Sequence, residues 1–279
     1  MNIKNALEFG IEKLNNISDT PSLDAEILLC NILSKDRIYL HINLIEDLKE
    51  EDFCKFKEFI KQRENNKPIA YIINEKEFMG LSFYVDKNVL IPRPDTEILV
   101  DRVINEFKNQ NDLKIIDIGC GSGAISISLA KYLNAYVYSL DISKQALEIG
   151  MKNAIKNDVA DNIKFIKSDI LNNFNEEEVD IIVSNPPYIE LEEYLNLEDN
   201  VLLYEPKLAL LGEDNGLYFY KEISKNAKKV LKENGYIFFE IGYNQADAVS
   251  KILKENDFCD IKIEKDLSKK DRLVWARKI

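Results

Sequence analysis

Asn185-Pro186-Pro187-Tyr188 is the stretch of this 279-residue chain best equipped for chemistry. It follows an apolar run, Val179 to Val183, broken only by Asp180, which reads as a buried parallel strand. Ligands of open α/β sheets bind beyond the carboxyl ends of such strands. Two consecutive prolines lack N–H groups and have a fixed φ, so the loop is stiff. An Asn amide oxygen beside a Pro carbonyl makes a two-acceptor fork that suits an NH2 group. The Tyr ring can lie flat on a planar amide or base. These features point to methylation of a planar, weakly nucleophilic nitrogen, with Asn185, Pro186, Pro187 and Tyr188 as the catalytic candidates.

Upstream, Ile115-Ile116-Asp117-Ile118-Gly119-Cys120-Gly121-Ser122-Gly123 leads into the helical run Ala124 to Leu133. The order is strand, glycine loop, helix, and the glycines let a ligand approach the backbone closely. The G-x-G-x-G spacing after an acid differs from the dinucleotide fingerprint, and the absence of a following Lys-Ser/Thr excludes a P-loop. Asp117 would repel a pyrophosphate but accept from an ammonium group. S-adenosylmethionine has that group and no phosphate. A strand over Ala135 to Leu140 ends at Asp141, placed to accept from two ribose hydroxyls. A third, Ile163 to Lys167, ends at Ser168-Asp169-Ile170, where Asp169 meets an adenine amino group and Ile170 packs on the base. The expected donor pocket therefore comprises Asp117, Gly119, Cys120, Gly121, Ser122, Gly123, Asp141, Asp169, Ile170 and Asn185.

The elements that must hold these residues fall into parts. Residues 1–73 carry helical periodicity, with Ile3, Leu7, Ile11 and Leu14 on one face, and predict a bundle of four or five helices. Thr20 and Pro21 read as an N-cap and a first helical residue, and Ile38 to Ile45 and Phe53 to Ile60 as further helices. Residues 74–94 predict a β-hairpin connector turning at Asp86-Lys87-Asn88, ahead of a helix ending at Phe107. Residues 95–279 alternate strands and helices, as a doubly wound α/β sheet should. In that part a Lys221–Glu233 helix stops at Asn234-Gly235, a fifth strand covers Tyr236 to Ile241, and Phe258 to Glu264 pairs with Leu273 to Ala276 as a terminal hairpin.

Composition narrows the class. The chain is 46% hydrophobic and 31% charged, as globular proteins are, and its net charge of −12 argues against broad attraction to nucleic acid. The N-terminus lacks the apolar region of a signal peptide, and no stretch is long and apolar enough to span a membrane, so a cytoplasmic enzyme is expected. Cys30, Cys54, Cys120 and Cys259 are scattered, and His41 is the single histidine. Neither a metal site nor a disulfide is expected.

Taken together, the motifs resemble the HemK/PrmC family of protein-(glutamine-N5) methyltransferases. The resemblance runs through Pro68-Ile69-Ala70-Tyr71, Ile91-Pro92-Arg93-Pro94-Asp95-Thr96-Glu97, the Asp117–Gly123 loop, Val183 to Ile189 and Tyr204-Glu205-Pro206. The chain departs from the family pattern at Cys120, where many relatives carry Thr, and at Ile170, where some carry an aromatic. The resemblance implies a class I, Rossmann-like methyltransferase fold whose seven-stranded sheet ends in an antiparallel strand, preceded by the helical domain. It also implies S-adenosylmethionine as donor and the Gln of the Gly-Gly-Gln motif of peptide chain release factors as acceptor. A monomer acting without nucleic-acid or membrane contact is expected, its N-terminal helices docking the body of the protein substrate. Three other readings stand beside this one: a glutamine methyltransferase of a ribosomal protein, an N6-adenine nucleic-acid methyltransferase, and a non-catalytic adaptor. The last conflicts with the intact acids and NPPY.

Overall fold

The computed structural model describes residues 1–175 and 178–279. They form two compact units, Met1–Glu75 with Glu198–Tyr204, and Lys76–Leu197 with Glu205–Ile279. No helix among the described residues is long and apolar enough to cross a membrane.

The first unit is helical: Ile3–Leu14, Pro21–Leu33, Arg37–Ile42, Glu50–Glu64 and Ile69–Ile73, joined by the short helix Asp199–Leu202. The spacing of apolar residues puts Ile3, Leu7, Leu14, Leu28, Leu29, Phe56 and Ile60 into one buried cluster. Gly10 lets the first helix sit close, since a Cβ there would come within 2.9 Å of Phe56 Cζ and 3.1 Å of Ala25 Cβ. Arg63 Nε donates to Asp24 Oδ2 at 2.8 Å, tying the fourth helix to the second. The Tyr204 hydroxyl donates to the Asn65 carbonyl at 2.7 Å, which ties in the distant 198–204 segment. Thr20 occupies the N-cap position, but its side chain makes no cap bond; its hydroxyl donates towards Asp24 Oδ1 instead. The helix expected over Ile38 to Ile45 stops at Ile42, where the Asn43 side chain donates to the Tyr39 carbonyl.

The second unit opens with β1 (Lys76–Phe78) and β2 (Leu81–Phe83), an antiparallel pair in which Phe78 faces Leu81. That register leaves a two-residue turn, Met79-Gly80, with φ of +51° and +69°, the mirror-image turn that matches strand twist. This corrects the turn expected at Asp86-Lys87-Asn88. There the Asp86 carboxylate accepts from the Asn88 backbone N–H at 2.9 Å, closing an Asx turn outside any strand.

Seven strands make the main sheet: β3 (Lys114–Ile118), β4 (Tyr136–Asp141), β5 (Ile163–Lys167), β6 (Val179–Ser184), β7 (Leu231–Glu240), β8 (Phe258–Lys265) and β9 (Asp271–Lys278). Their order is β5-β4-β3-β6-β7-β9-β8, parallel except for β9, which is antiparallel to both neighbours. Side chains alternate between faces along each strand. Ile116, Ile182, Ile237 and Phe239 pack under helices Tyr218–Ala227 and Ala246–Glu255, while Ile115, Ile181, Val183 and Phe238 pack under Glu97–Phe107 and Ala124–Leu133. The helix expected to reach Glu233 ends at Ala227. Its last apolar residues serve the sheet instead: the Val179 N–H donates to the Val230 carbonyl at 2.9 Å, and Leu231 opens β7. Asn234-Gly235 lies inside an irregularity of that strand.

Candidate active site

Strand order reverses between β3 and β6, so their carboxyl ends part around a crevice, the expected ligand position in such sheets. The Ser184 hydroxyl donates to the Ile118 carbonyl at 2.7 Å and fixes the two tips together. A cavity of about 470 Å³ opens there. Gly119, Gly121, Asp141, Asp169, Ile170, Asn185, Pro186 and Pro187 line it, each of them a residue singled out in the sequence. Asp117, Cys120, Ser122, Gly123 and Tyr188 do not.

The glycine loop is clamped from behind. Gly119 and Cys120 N–H groups both donate to the Leu140 carbonyl, at 2.8 and 3.0 Å. Gly119 and Gly121 have φ of +75° and +54°, and a Cβ on either would meet no atom within 4 Å. Both glycines therefore turn bare backbone towards open space, which is the cradle a ligand needs. Asp141 anchors the loop, accepting from the Gly121 N–H at 2.9 Å and the Ser143 N–H at 2.8 Å. Burial raises its carboxyl above the usual range, while those backbone donors pull the other way. An ionised carboxylate has further lone pairs, so Asp141 can still accept from two hydroxyls.

Asp117 sits behind the loop, fully buried. Its Oδ2 accepts from the Ser126 N–H at 3.1 Å and the Ser126 hydroxyl at 2.5 Å, while Oδ1 has no partner. Burial pushes its carboxyl up to about 7 against the pull of Ser126, and the charge of Asp141 adds to the rise. The Cys120 thiol is also pushed well up, first by burial. At the far wall, Ile170 adopts φ of +52°, a strained conformation for a β-branched residue, while Asp169 is exposed. Strain of this kind collects at ligand sites.

Asn185 is held from a direction the sequence did not suggest. Its Nδ2 donates to Thr96 Oγ1 at 3.1 Å, which leaves Oδ1 as an acceptor. Thr96 belongs to the conspicuous Ile91–Glu97 segment, whose second anchor is the Arg93 guanidinium on the buried Glu205 carboxylate at 2.5 Å. The Ile91 N–H also donates to Glu205, at 3.2 Å. Arg93 thus pairs within its own unit, with the acid of Tyr204-Glu205-Pro206. Tyr188 is held through its main chain: Gln245 Nε2 donates to its carbonyl at 3.2 Å, and a Cβ on Gly216 would come within 2.1 Å of that same oxygen. Burial raises the Tyr188 hydroxyl far above its ordinary value, Glu240 adds to the rise, and Arg272 opposes it. Gln245, Gly216, Glu240 and Arg272 lie far from the motifs in sequence and form no pattern of their own.

Residues 109–276 match the family model described as a methyltransferase domain, and residues 5–73 match the PrmC N-terminal domain. A release factor glutamine methyltransferase of Clostridium botulinum is 43% identical, covering 97% of this chain and 96% of that protein. One from Clostridium acetobutylicum is 42% identical, with coverages of 99% and 98%. A bifunctional methyltransferase of Rickettsia bellii is 38% identical over 98% of this chain but only 54% of its own length. Among solved structures, a methyltransferase from Pyrococcus furiosus aligns with a TM-score of 0.56 at 17% identity, covering 78% of this chain and 96% of that one. A ribosomal protein L11 methylase from Lactobacillus delbrueckii aligns at 0.51 and 22% identity, with coverages of 67% and 81%. At those identities the two structures speak for the fold alone. Similarity along nearly the whole length of the Clostridium proteins places the chain in the family of release factor glutamine methyltransferases.

Proposed function

We propose that this enzyme transfers a methyl group from S-adenosylmethionine to the side-chain amide nitrogen of the Gln in the Gly-Gly-Gln motif of peptide chain release factors. One observation carries the reading: Asn185 commits its Nδ2 to Thr96, which leaves its Oδ1 as an acceptor at a cavity that Pro186 also lines, and in this reading the Pro186 carbonyl is the second acceptor. Two acceptors match the two hydrogens of a primary amide.

The cavity residues fit the donor. Gly119 and Gly121 offer bare backbone, Asp141 offers carboxylate lone pairs for vicinal hydroxyls, and Ile170 with Asp169 offers an apolar face beside an acceptor for adenine. The Asp141 carboxylate, which lines this end of the cavity, makes it favourable to a cation and hostile to a phosphate. When bound, S-adenosylmethionine supplies an already electrophilic methyl group on a sulfonium.

The acceptor nitrogen is a poor nucleophile because its lone pair is delocalised into the carbonyl. Asn185 Oδ1 and the Pro186 carbonyl accept its two hydrogens, turn the nitrogen towards the methyl, and stabilise the positive charge that develops there. Stiff prolines keep that fork preorganised, and alignment of this kind lowers a barrier by several kcal/mol, on the order of 7. Tyr188 covers the amide plane and keeps water out. The proton passes to solvent water after transfer, as the product leaves the site, because the new charge has made the nitrogen acidic. The first unit docks the body of the factor, so that a site reading one amide selects one glutamine.

The test is transfer of labelled methyl to purified release factor, with a Gly-Gly-Ala factor as control and a ribosomal protein and DNA alongside. Label on the intact factor alone supports the assignment. Label on the control, the ribosomal protein or DNA instead overturns the substrate.

A further inference from the structure

Glu240 is a carboxylate for which the mechanism above has no use. It closes β7 at the same end of the sheet as the cavity, yet is only 2% exposed, and its Oε2 has no hydrogen-bond partner. Buried carboxylates without a role are rare because desolvation penalises them. Its neighbours come from four elements: Thr96 and Asp95 from the turn Pro94–Thr96, Tyr188 from the loop after β6, Arg272 from β9, and Tyr220 from the helix Tyr218–Ala227. The Tyr220 hydroxyl donates to the main-chain carbonyl of Glu240 at 2.9 Å, not to its carboxylate. Arg272 divides its guanidinium between Asp95 at 3.2 Å and Asp266 at 3.1 Å. The Thr96 hydroxyl beside Glu240 is the same one that meets Asn185.

The two ends of an Asn amide have the same shape, so packing does not distinguish them; only hydrogen bonding does. A threonine hydroxyl cannot choose either, because it donates to an oxygen as readily as it accepts from an NH2. An ionised carboxylate is an acceptor only. With Glu240 ionised, Thr96 turns its proton to Glu240 and presents a lone pair to Asn185. Nδ2 must then face Thr96, and Oδ1 faces the cavity. With Glu240 neutral, the constraint is lost, and Asn185 can turn Nδ2 towards the substrate, a donor where an acceptor is required.

We propose that Glu240 and Thr96 are positioning residues: the Glu240 carboxylate fixes the direction of the Thr96 hydroxyl, which fixes Asn185 with its Oδ1 towards the acceptor amide. The inference rests on the reaction proposed above and adds two residues and a pH dependence to it. Burial pushes the Glu240 carboxyl up to about 7, offset by Thr96, Arg272 and Tyr188 and reinforced by Asp95. The ionised form is the competent one, so turnover falls as pH drops through that value.

The experiment measures kcat with saturating release factor and donor from pH 5.5 to 8.5, roughly bracketing that titration. Wild type, Glu240→Gln, Thr96→Val, Thr96→Ser and the double variant Glu240→Gln with Thr96→Val are compared, with donor affinity measured by calorimetry on each. Wild-type transfer to the factor checks the underlying reaction, and its absence counts against that reading alone. Expected are kcat losses of about 10²-fold in Thr96→Val and Glu240→Gln, with donor affinity within about threefold. Thr96→Ser restores most of the rate. The double variant is no slower than Thr96→Val, and the acidic limb present in wild type flattens in Thr96→Val, an outcome that a purely structural role does not produce. Losses that multiply in the double variant, an unchanged acidic limb in Thr96→Val, or full activity in both single variants would overturn the proposal. Should Glu240→Gln fail to fold, the Val and Ser variants and their pH profiles decide alone.

Discussion

At the scale of single residues, the site depends on acceptors held in one orientation. Asn185→Ala is expected to keep donor affinity within a few-fold while losing at least about 10²-fold in kcat, since it removes one of two preorganised acceptors. Calorimetry with donor beside single-turnover methylation separates the two effects, and wild-type turnover would rule out the role given to Asn185. On the packing role proposed for its ring, Tyr188→Phe is expected to outperform Tyr188→Ala; equal losses would transfer the role to the hydroxyl. Asp117 makes a different prediction, about stability. Its folded carboxyl is raised from 3.8 to about 7 by burial, so in the intermediate range the folded state holds a proton that the unfolded chain releases. Its contribution is therefore complete below about pH 4 and is lost as pH rises to about 7, on the order of 4 kcal/mol in all. Asp117→Asn has nothing to ionise. Its unfolding free energy relative to wild type should climb between those pH values and level off above them, as denaturant titrations at several pH values would show. A difference that does not vary with pH would mean Asp117 is ionised throughout.

At the scale of elements, two glycines with similar dihedral angles do different jobs. Gly216 has φ of +73°, and a Cβ there would meet the Tyr188 carbonyl at 2.1 Å, whereas at Gly119, with φ of +75°, it would meet nothing. Gly216→Ala should therefore displace the NPPY backbone, lowering kcat at least about tenfold and costing about 1–3 kcal/mol of stability. Gly119→Ala should cost less stability, about 1 kcal/mol, and weaken donor affinity by narrowing the cradle while changing kcat little. Reversed effects would exchange the roles of the two loops. The contrast also explains what was legible in the sequence. The Gly119–Gly123 loop, Asp141 and Asn185-Pro186-Pro187 announce themselves because each motif packs its chemistry into a few consecutive residues at a strand end. Gly216, Gln245 and Glu240 support that chemistry from loops and strand ends of ordinary composition, and only folding brings them to it. The misplaced hairpin turn has a similar cause. Asp86-Lys87-Asn88 has the composition of a turn and forms one, but Met79-Gly80 provides the two positive φ values that close the strands. Likewise Asn234-Gly235 resembled a helix stop until pairing of Val179 with Leu231 claimed the preceding residues for the sheet.

At the scale of the molecule, the question is how a site reading one amide selects one glutamine. In the proposed reaction, a fork of Asn185 and the proline carbonyl would accept from any primary amide. Selection must draw on surface remote from the reacting atoms, where binding energy from the body of a substrate is realised. The first unit carries exposed apolar side chains. Ile38, Ile42 and Ile45 are 69%, 74% and 88% exposed, three large apolar side chains within eight positions, which the periodicity alone assigned to a helix without revealing their exposure. Replacing exposed residues costs little stability, about 0.5 kcal/mol or less each, so Ile38→Asp with Ile42→Asp should fold as wild type does. The expected result is a KM for intact release factor raised about tenfold or more, with kcat unchanged. A short peptide carrying only Gly-Gly-Gln should already be a poorer substrate for wild type, by about 10²-fold in kcat/KM, and the double variant should treat it no differently. That pattern assigns substrate selection to the helical unit and the chemistry to the sheet. Equal losses on factor and peptide would mean the substitutions damage the catalytic unit, and unchanged kinetics on both would place the docking surface elsewhere on the chain.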